Sequence, residues 1–378
     1  MRATDRLNET LTAALLRRQT GRGGALLLGR AAAGIWATLR VFNAAGRPVL
    51  IPANTCYIVL WAVLLAEAQP VLVDTDPTTG MITPATLDAA LEALALGQSP
   101  VAVIPCHLYG LPAPMAAITT WAGRHDLRVI EDAAQAFGGN VDGRPMGAWG
   151  DAAVFSFGAG KIVDLELGGA LLADDPALLD AASALLAKLP VYGDALAGLD
   201  EQWLSLYWAM HQYEEANPRL PALYTMLFDL YQRLTHYRAP ASLWRAAPAA
   251  FEALAGNLAH RAAMANLYDA QFADLPEVHT LSCSPETTLW KYPLRTPAAD
   301  RNELLRFLWG NGIETATRWY PSLQAMAAAL APQNVQPPTP HADALSREII
   351  NLPVDASVDA ETAARIAGQV REFYRAAP

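Results

Sequence analysis

A chain of 378 residues with 53% hydrophobic content and a mean hydropathy of +0.15 can bury a large core, while its longest apolar run, Ile58–Ala66, is too short to span a membrane. Its net charge of −10 without basic runs argues against nucleic acid, and an N-terminus with acids and no apolar segment of signal-peptide type makes a cytoplasmic location the expectation. Cys56, Cys106 and Cys283 are odd in number and widely spaced, and the seven histidines lack ligand spacing, so neither a disulfide framework nor a metal site is expected.

Taken in order, Leu11–Arg18 reads as a short helix, broken at Gly21-Arg22-Gly23-Gly24. From Gly29 the chain runs G-R-A-A-A-G-I-W-A-T-L. A glycine and small residues entering a helix suit a phosphate, because free backbone N–H groups and the helix dipole both favour an anion. V-L-I-P-A-N-T-C-Y-I-V-L-W-A-V follows, with a strand leading to Thr55 and Cys56; Cys56 has no apparent His or acid partner and reads as a small buried apolar residue, with Tyr57 pointing away in an extended segment. Pro70–Asp74 is a further strand, and Thr83–Leu96 a helix capped by Thr83 with Pro84 in its first turn. V-A-V-I-P-C-H-L-Y-G suits a strand buried on both faces, with His107 at its end, and Met115–His125 a helix. This alternation over Val49–Ala173 predicts a mostly parallel sheet covered by helices. It is not a nicotinamide-binding unit, since no G-x-G-x-x-G follows the first strand.

The chemistry concentrates between Val129 and Gly169, which reads V-I-E-D-A-A-Q-A-F-G-G and then G-D-A-A-V-F-S-F-G-A-G-K-I-V-D-L-E-L-G-G. The chain has only three lysines, Lys161, Lys188 and Lys291, and Lys161 sits in a Gly-flanked loop just past an apolar run. An arginine there could supply charge but could not condense with an aldehyde, as pyridoxal phosphate requires. Asp132, at a strand end, could hold a pyridine nitrogen protonated or cap a helix. Gln135 would share its face if a helical turn begins at Asp132, and Ser156 offers a hydroxyl to a phosphate oxygen.

The segments E-D-A-A-Q-A-F-G, G-D-A-A-V-F-S-F-G-A-G-K and L-G-G-A-L-L-A-D-D resemble the DegT-type family of pyridoxal-phosphate-dependent sugar aminotransferases, which adopt the aspartate-aminotransferase fold, fold type I. The resemblance implies an α/β fold: a three-layer αβα large domain with a mostly parallel sheet, plus a smaller C-terminal α+β domain. It makes Lys161 the Schiff-base lysine, Asp132 the pyridinium partner, Gln135 a contact of the ring oxygen and Ser156 a phosphate ligand. Gly29, Arg30 and Ala31 fall where the family has its G-T-A-A-L or G-R-S-A-L phosphate loop, here without a hydroxyl. Thr55 and Cys56 fall on the family's P-x-x-T-[aromatic], a thiol replacing the ring that lies over the cofactor, and His107 matches a histidine near the cofactor.

Pro176–Tyr268 reads as helical and aromatic-rich, with N-P-R-L-P-A-L at Asn217 similar to the family's N-x-R-M-x-x-L loop, which would bring Asn217 and Arg219 to the partner subunit's phosphate. Thr235–Pro248 resembles an insertion at the substrate entrance. L-W-K-Y-P-L-R-T-P and E-I-I-N-L-P-V read as strands of the small domain, R-N-E-L-L-R-F-L-W-G-N-G as a helix closed by Gly312, Ala327–Pro340 as a loop and Ala360–Tyr374 as an amphipathic helix; R-W-Y-P-S-L at Arg318 lies where family members approach substrate. The expected organisation is a large cofactor-binding domain over residues 1–250, with an N-terminal arm and a helical insertion near 176–250, and a small domain over 251–378. The resemblance implies transfer of an amino group, with glutamate as donor, to a keto group of a nucleotide-linked sugar or a related carbonyl compound, in a homodimer with shared sites. Two alternatives are a pyridoxal-phosphate enzyme acting on a cyclitol or other non-sugar substrate and a non-catalytic cofactor-binding paralogue. Retention of Lys161 speaks against dehydrating relatives in which that lysine is replaced.

Overall fold

The computed structural model describes residues 3–94, 98–212, 217–281, 287–318 and 322–376. Its main layer is a seven-stranded sheet built from β1 (Gly24–Leu28), β2 (Pro48–Pro52), β3 (Gln69–Val73), β4 (Ala102–Val103), β5 (Arg128–Asp132), β8 (Ala152–Ser156) and β9 (Gly169–Ala173), while β6 (Asn140–Val141) and β7 (Arg144–Pro145) form a separate hairpin. Strand order is β1-β9-β8-β5-β4-β2-β3, parallel from β3 to β8, with β9 reversed between β8 and β1 and pairing antiparallel to both. β2 and β9 are buried along their whole length, as unbroken apolar runs require in a sheet covered on both faces.

The helices are α1 (Ala3–Thr20), α2 (Ala31–Val41), α3 (Tyr57–Leu65), α4 (Pro84–Glu92), α5 (Met115–Arg124), α6 (Pro176–Leu186), α7 (Asp194–Gln212), α8 (Leu220–Thr235), α9 (Ala247–Glu252), α10 (Leu254–Phe272), α11 (Arg301–Gly310), α12 (Leu323–Leu330), α13 (Pro340–Glu348) and α14 (Ala360–Ala376). α1 is longer than the sequence suggests. α4 opens on the expected Thr83 capping box but ends at Glu92, and residues 95–97 lie outside the described residues. A second sheet, antiparallel in the order β10 (His279–Thr280), β11 (Tyr292–Arg295), β13 (Ile349–Leu352), β12 (Thr317–Arg318), is packed by α10, α11 and α14 around Tyr268, Leu294, Leu304, Ile350 and Ile366. α12 occupies the first part of Ala327–Pro340, read above as loop, because Ser322 caps it and Met326 and Ala327 bury against the large core.

Two local expectations fail for identifiable reasons. V-A-V-I-P-C-H-L-Y-G is not one strand: Pro105 has no N–H to give, β4 stops at Val103, and after a single bridge from Cys106 to Asp132 the chain turns through Leu108–Gly110. No helical turn begins at Asp132. It ends β5, and its Oδ1 accepts the Ala134 N–H at 3.0 Å, a two-residue turn that directs the chain away from the sheet.

Candidate active site

The carboxyl ends of β5 and β8 and the turn after β4 converge beside the first turn of α2 and the Thr55-Cys56 turn. In an open α/β sheet that edge is where ligands bind. They line a cavity of about 750 Å³ whose other wall is α7. The structure brings Asp132, Gln135, Ser156 and Lys161 to this cavity, together with Arg30, Ala31, Thr55, Cys56 and His107. Gly29 and Asn217 are not in its wall. At Gly29 a Cβ would sit 2.3 Å from the Tyr237 carbonyl oxygen, so the glycine is required by that close approach. Asn217 lies in the turn between α7 and α8, where its Oδ1 accepts the Arg219 N–H at 3.0 Å.

Each polar group is oriented by a neighbour. Asp132 is buried with Oδ1 fixed by the Ala134 N–H and Oδ2 facing the Cys106 thiol at 3.7 Å. Burial pushes its carboxyl above the ordinary range, against the pull of the Ala134 N–H and the Lys161 amine. Gln135 Oε1 accepts the Tyr109 N–H at 2.6 Å, so its NH2 group is what it can offer a ligand. His107 Nδ1 accepts the Ala113 N–H at 3.0 Å; its proton therefore lies on Nε2 and is donated to Glu131 Oε1 at 2.8 Å. Glu131 also accepts from Gly147 and Trp149, and although burial opposes its ionisation, these bonds and His107 hold its carboxyl below the usual range.

Lys161 sits in a loop stapled at several points. Asp164 accepts the N–H groups of Gly160 and Glu166, both at 2.7 Å, and Asn257 from α10 donates to the Ile162 carbonyl at 2.7 Å. Trp290 donates its indole N–H to the Gly160 carbonyl at 2.6 Å, and Lys161 Nζ lies 4.6 Å from the centre of its ring. Burial pulls the Lys161 amine below its ordinary pKa, partly offset by Cys56 and Asp132.

Arg30 stands in the cavity wall with its guanidinium engaged by two neighbours. Its guanidinium donates to Asp200 on α7 at 2.5 Å and to the Tyr237 hydroxyl at 2.9 Å, and the Tyr192 hydroxyl donates to the other Asp200 oxygen at 2.8 Å. Tyr57 is not extended but opens α3, where it packs on Trp61 and borders the cavity. Cys56 is half-buried in the cavity wall rather than in the core. Cys283 and residues 319–321 lie outside the described residues, and the Arg318 guanidinium donates to the Met210 carbonyl at 3.1 Å. Sequence reading missed the α7 wall, with Asp200, Trp203 and Tyr207, and also Trp290. The E-D pair could have drawn attention to Glu131; the others carry no local signal.

The donor set fits pyridoxal phosphate. One amine and one buried carboxylate act on each other across a cavity large enough for a small cofactor, and the Thr55 hydroxyl, buried beside the Cys106 thiol, makes no hydrogen bond of good geometry among the described residues. The first turn of α2, with Ala31 and Ala32 in the wall, supplies N–H groups of the kind a helix leaves unpaired. Among the described residues no cluster of His, Cys, Asp and Glu could hold a metal ion, and no helix is long and apolar enough to cross a membrane.

The model of the DegT/DnrJ/EryC1/StrS aminotransferase family matches residues 10–204 and 238–371. Residues 205–237, at the end of α7 and through α8, fall between the two matched stretches. The dTDP-3-amino-3,4,6-trideoxy-alpha-D-glucose transaminase of Streptomyces venezuelae is 31% identical over 335 residues, 87% of this chain and 76% of that protein. Over a shorter stretch of 112 residues, 30% of this chain and 29% of the relative, identity reaches 43% with the UDP-N-acetyl-3-dehydro-alpha-D-glucosamine 3-aminotransferase of Acidithiobacillus ferrooxidans. Among solved structures, an aminotransferase of this family from Brucella abortus superposes with a TM-score of 0.78 at 22% identity, covering 97% of this chain and 90% of that one. The S. venezuelae protein DesV, solved with a ketimine intermediate, gives a TM-score of 0.78 at 24% identity, covering 98% and 90%. The chain therefore belongs to the DegT/DnrJ/EryC1/StrS aminotransferase family and is a pyridoxal-phosphate-dependent aminotransferase.

Proposed function

We propose that the chain moves an amino group from glutamate to the keto group of a nucleotide-linked sugar. The observation that carries the reading is the meeting, at one cavity, of the Lys161 amine, the Asp132 carboxylate and the Ser156 hydroxyl at adjoining strand ends. The two curated relatives described above, whose names specify nucleotide-linked aminosugars, support the choice of acceptor.

When bound, pyridoxal phosphate supplies an aldehyde and an electron-accepting ring. Lys161 would be the amine that holds the cofactor and, when free, would move the proton at the reacting carbon. Burial favours the free amine this task needs. Asp132 holds a proton on the ring nitrogen, its carboxylate kept in place by Ala134 and Cys106. Gln135, its oxygen engaged by Tyr109, would offer its NH2 to the ring oxygen. Ser156, Thr55 and the first turn of α2, with Gly29, Arg30 and Ala31 at its entry, would hold the phosphate, and Cys56 and His107 would stand beside the ring.

Asn217 and Arg219, outside the cavity wall of their own chain, serve the site of a second copy in a cytoplasmic homodimer. Residues 1–250 form the cofactor-binding domain and residues 251–378 the small one. The test is the visible absorption of purified protein with added pyridoxal phosphate, before and after glutamate, beside Lys161→Ala. A band that depends on Lys161 and is discharged by glutamate is expected; no Lys161-dependent band would overturn the assignment of that lysine, and a band that glutamate leaves unchanged would overturn the choice of donor.

A further inference from the structure

Trp290 lies far along the chain from the motif that carries Lys161, two residues before β11 of the second sheet, yet it touches the lysine loop twice. Its indole N–H bonds the Gly160 carbonyl at 2.6 Å, and its ring centre is 4.6 Å from Lys161 Nζ, within the range of a cation over an aromatic face. Its own backbone N–H is tied at 2.7 Å to the carbonyl of Tyr109, the residue whose N–H orients Gln135, so the ring has little freedom to leave. We infer that Trp290 is a positioning residue for Lys161: in the cofactor-free protein its ring face holds the protonated amine, and its N–H fixes the loop that carries it.

The contact has a chemical consequence. An ammonium over a ring face is stabilised against loss of its proton, so Trp290 opposes the effect of burial on Lys161. Asp132 from β5 and Cys56 from the turn before α3 act in the same direction. The remaining charged or titratable groups in the cavity wall are His107, Glu166 from the lysine's own loop, Arg30 from the start of α2, Tyr192, Asp200, Glu201 and Tyr207 from the α7 side, Tyr57 from α3, Cys106 and Tyr231 from α8. None of these has its ring face on the amine as Trp290 does; among the described residues that contact is Trp290's alone. The inference rests on the reading of Lys161 as the reacting amine, but its test does not.

The chain contains only three lysines, which makes the measurement clean. Cofactor-free wild type, Trp290→Phe and Trp290→Leu are labelled with acetic anhydride across a pH series, and modification of Lys161 is followed by peptide mass spectrometry with Lys188 and Lys291 as internal references. Loss of the ring face moves the Lys161 midpoint to lower pH, so that below the midpoint Trp290→Leu labels about three- to tenfold faster than wild type, the range of a cation–π contact. Trp290→Phe, with a weaker ring, falls between the two and carries the test alone if the leucine variant does not fold. A change in the high-pH plateau without a change of midpoint would mean altered access only and would overturn the inference. So would an unmoved or raised midpoint in both variants. Failure of the Lys161 reading would instead appear as a visible cofactor band that survives Lys161→Ala.

Discussion

At the scale of single residues, the site rests on two neighbouring carboxylates of opposite electrostatic character. Asp132, pushed up by burial, is more easily kept protonated in the folded chain than in the unfolded one. Stability of the cofactor-free protein therefore falls as pH rises from the ordinary carboxyl range through the raised value. Asp132→Asn, which lacks the buried charge, should melt higher than wild type at neutral pH, with the gap closing in acid, while binding pyridoxal phosphate at least about tenfold more weakly for want of a charged partner to the ring nitrogen. Thermal melts across pH and a cofactor titration check both halves. Glu131 behaves oppositely. Its lowered pKa contributes stability above the ordinary carboxyl range that is lost as pH falls through the folded value. Glu131→Gln turns an NH2 toward donors that need an acceptor and should cost about 2–4 kcal/mol at neutral pH, read from denaturant midpoints, and less in acid.

At the scale of elements, α7 matters most because it walls the cavity and is held to α2 by one ion pair. Arg30 bonds Asp200 and Tyr237, and Tyr192 bonds Asp200, so one charged side chain joins the start of α2 to α7. Both partners of the pair are about one-fifth exposed, at 23% and 21% of their side-chain area, so the pair is only partly screened. Arg30→Met keeps most of the bulk and removes the charge. Amide exchange in Asp194–Gln212 should then accelerate about five- to thirtyfold relative to α3, as loss of a charge-assisted bond worth about 1–2 kcal/mol implies. Unchanged exchange would mean that α7 is held by its packing on α8 through Trp203 and Tyr231 rather than by Arg30.

At the scale of the whole molecule, the proposed sharing of sites between two copies has a sharp test. Lys161→Ala and Arg219→Ala should each be poorly active alone. Unfolded together and refolded, they form mixed dimers in which one site receives both mutations and the other neither. About a quarter of wild-type activity should return if the loop at Asn217 serves the partner, as random pairing in a twofold dimer requires. No recovery in a mixture that does form dimers would confine Arg219 to its own chain.

The sequence by itself determined the main sheet and the centre of the site, because both are written in local pattern. Unbroken apolar runs mark buried parallel strands, and E-D-A-A-Q with S-F-G-A-G-K place Asp132 and Ser156 at strand ends and Gln135 and Lys161 just beyond them. Local chemistry decided two points the pattern left open or misread: Pro105 ended a strand that hydropathy would have continued, and the Asp132 side chain closed a two-residue turn rather than opening a helical one. The tertiary structure alone decided what surrounds that centre. Arg30 ties the start of α2 to Asp200, and Trp290 comes onto Lys161 from the chain leading into a strand of the other sheet. Each of these depends on a contact between segments distant in the chain. Such contacts are set by how helices and sheets pack, and periodicity and motif spacing, which record only what is near in sequence, carry no trace of them.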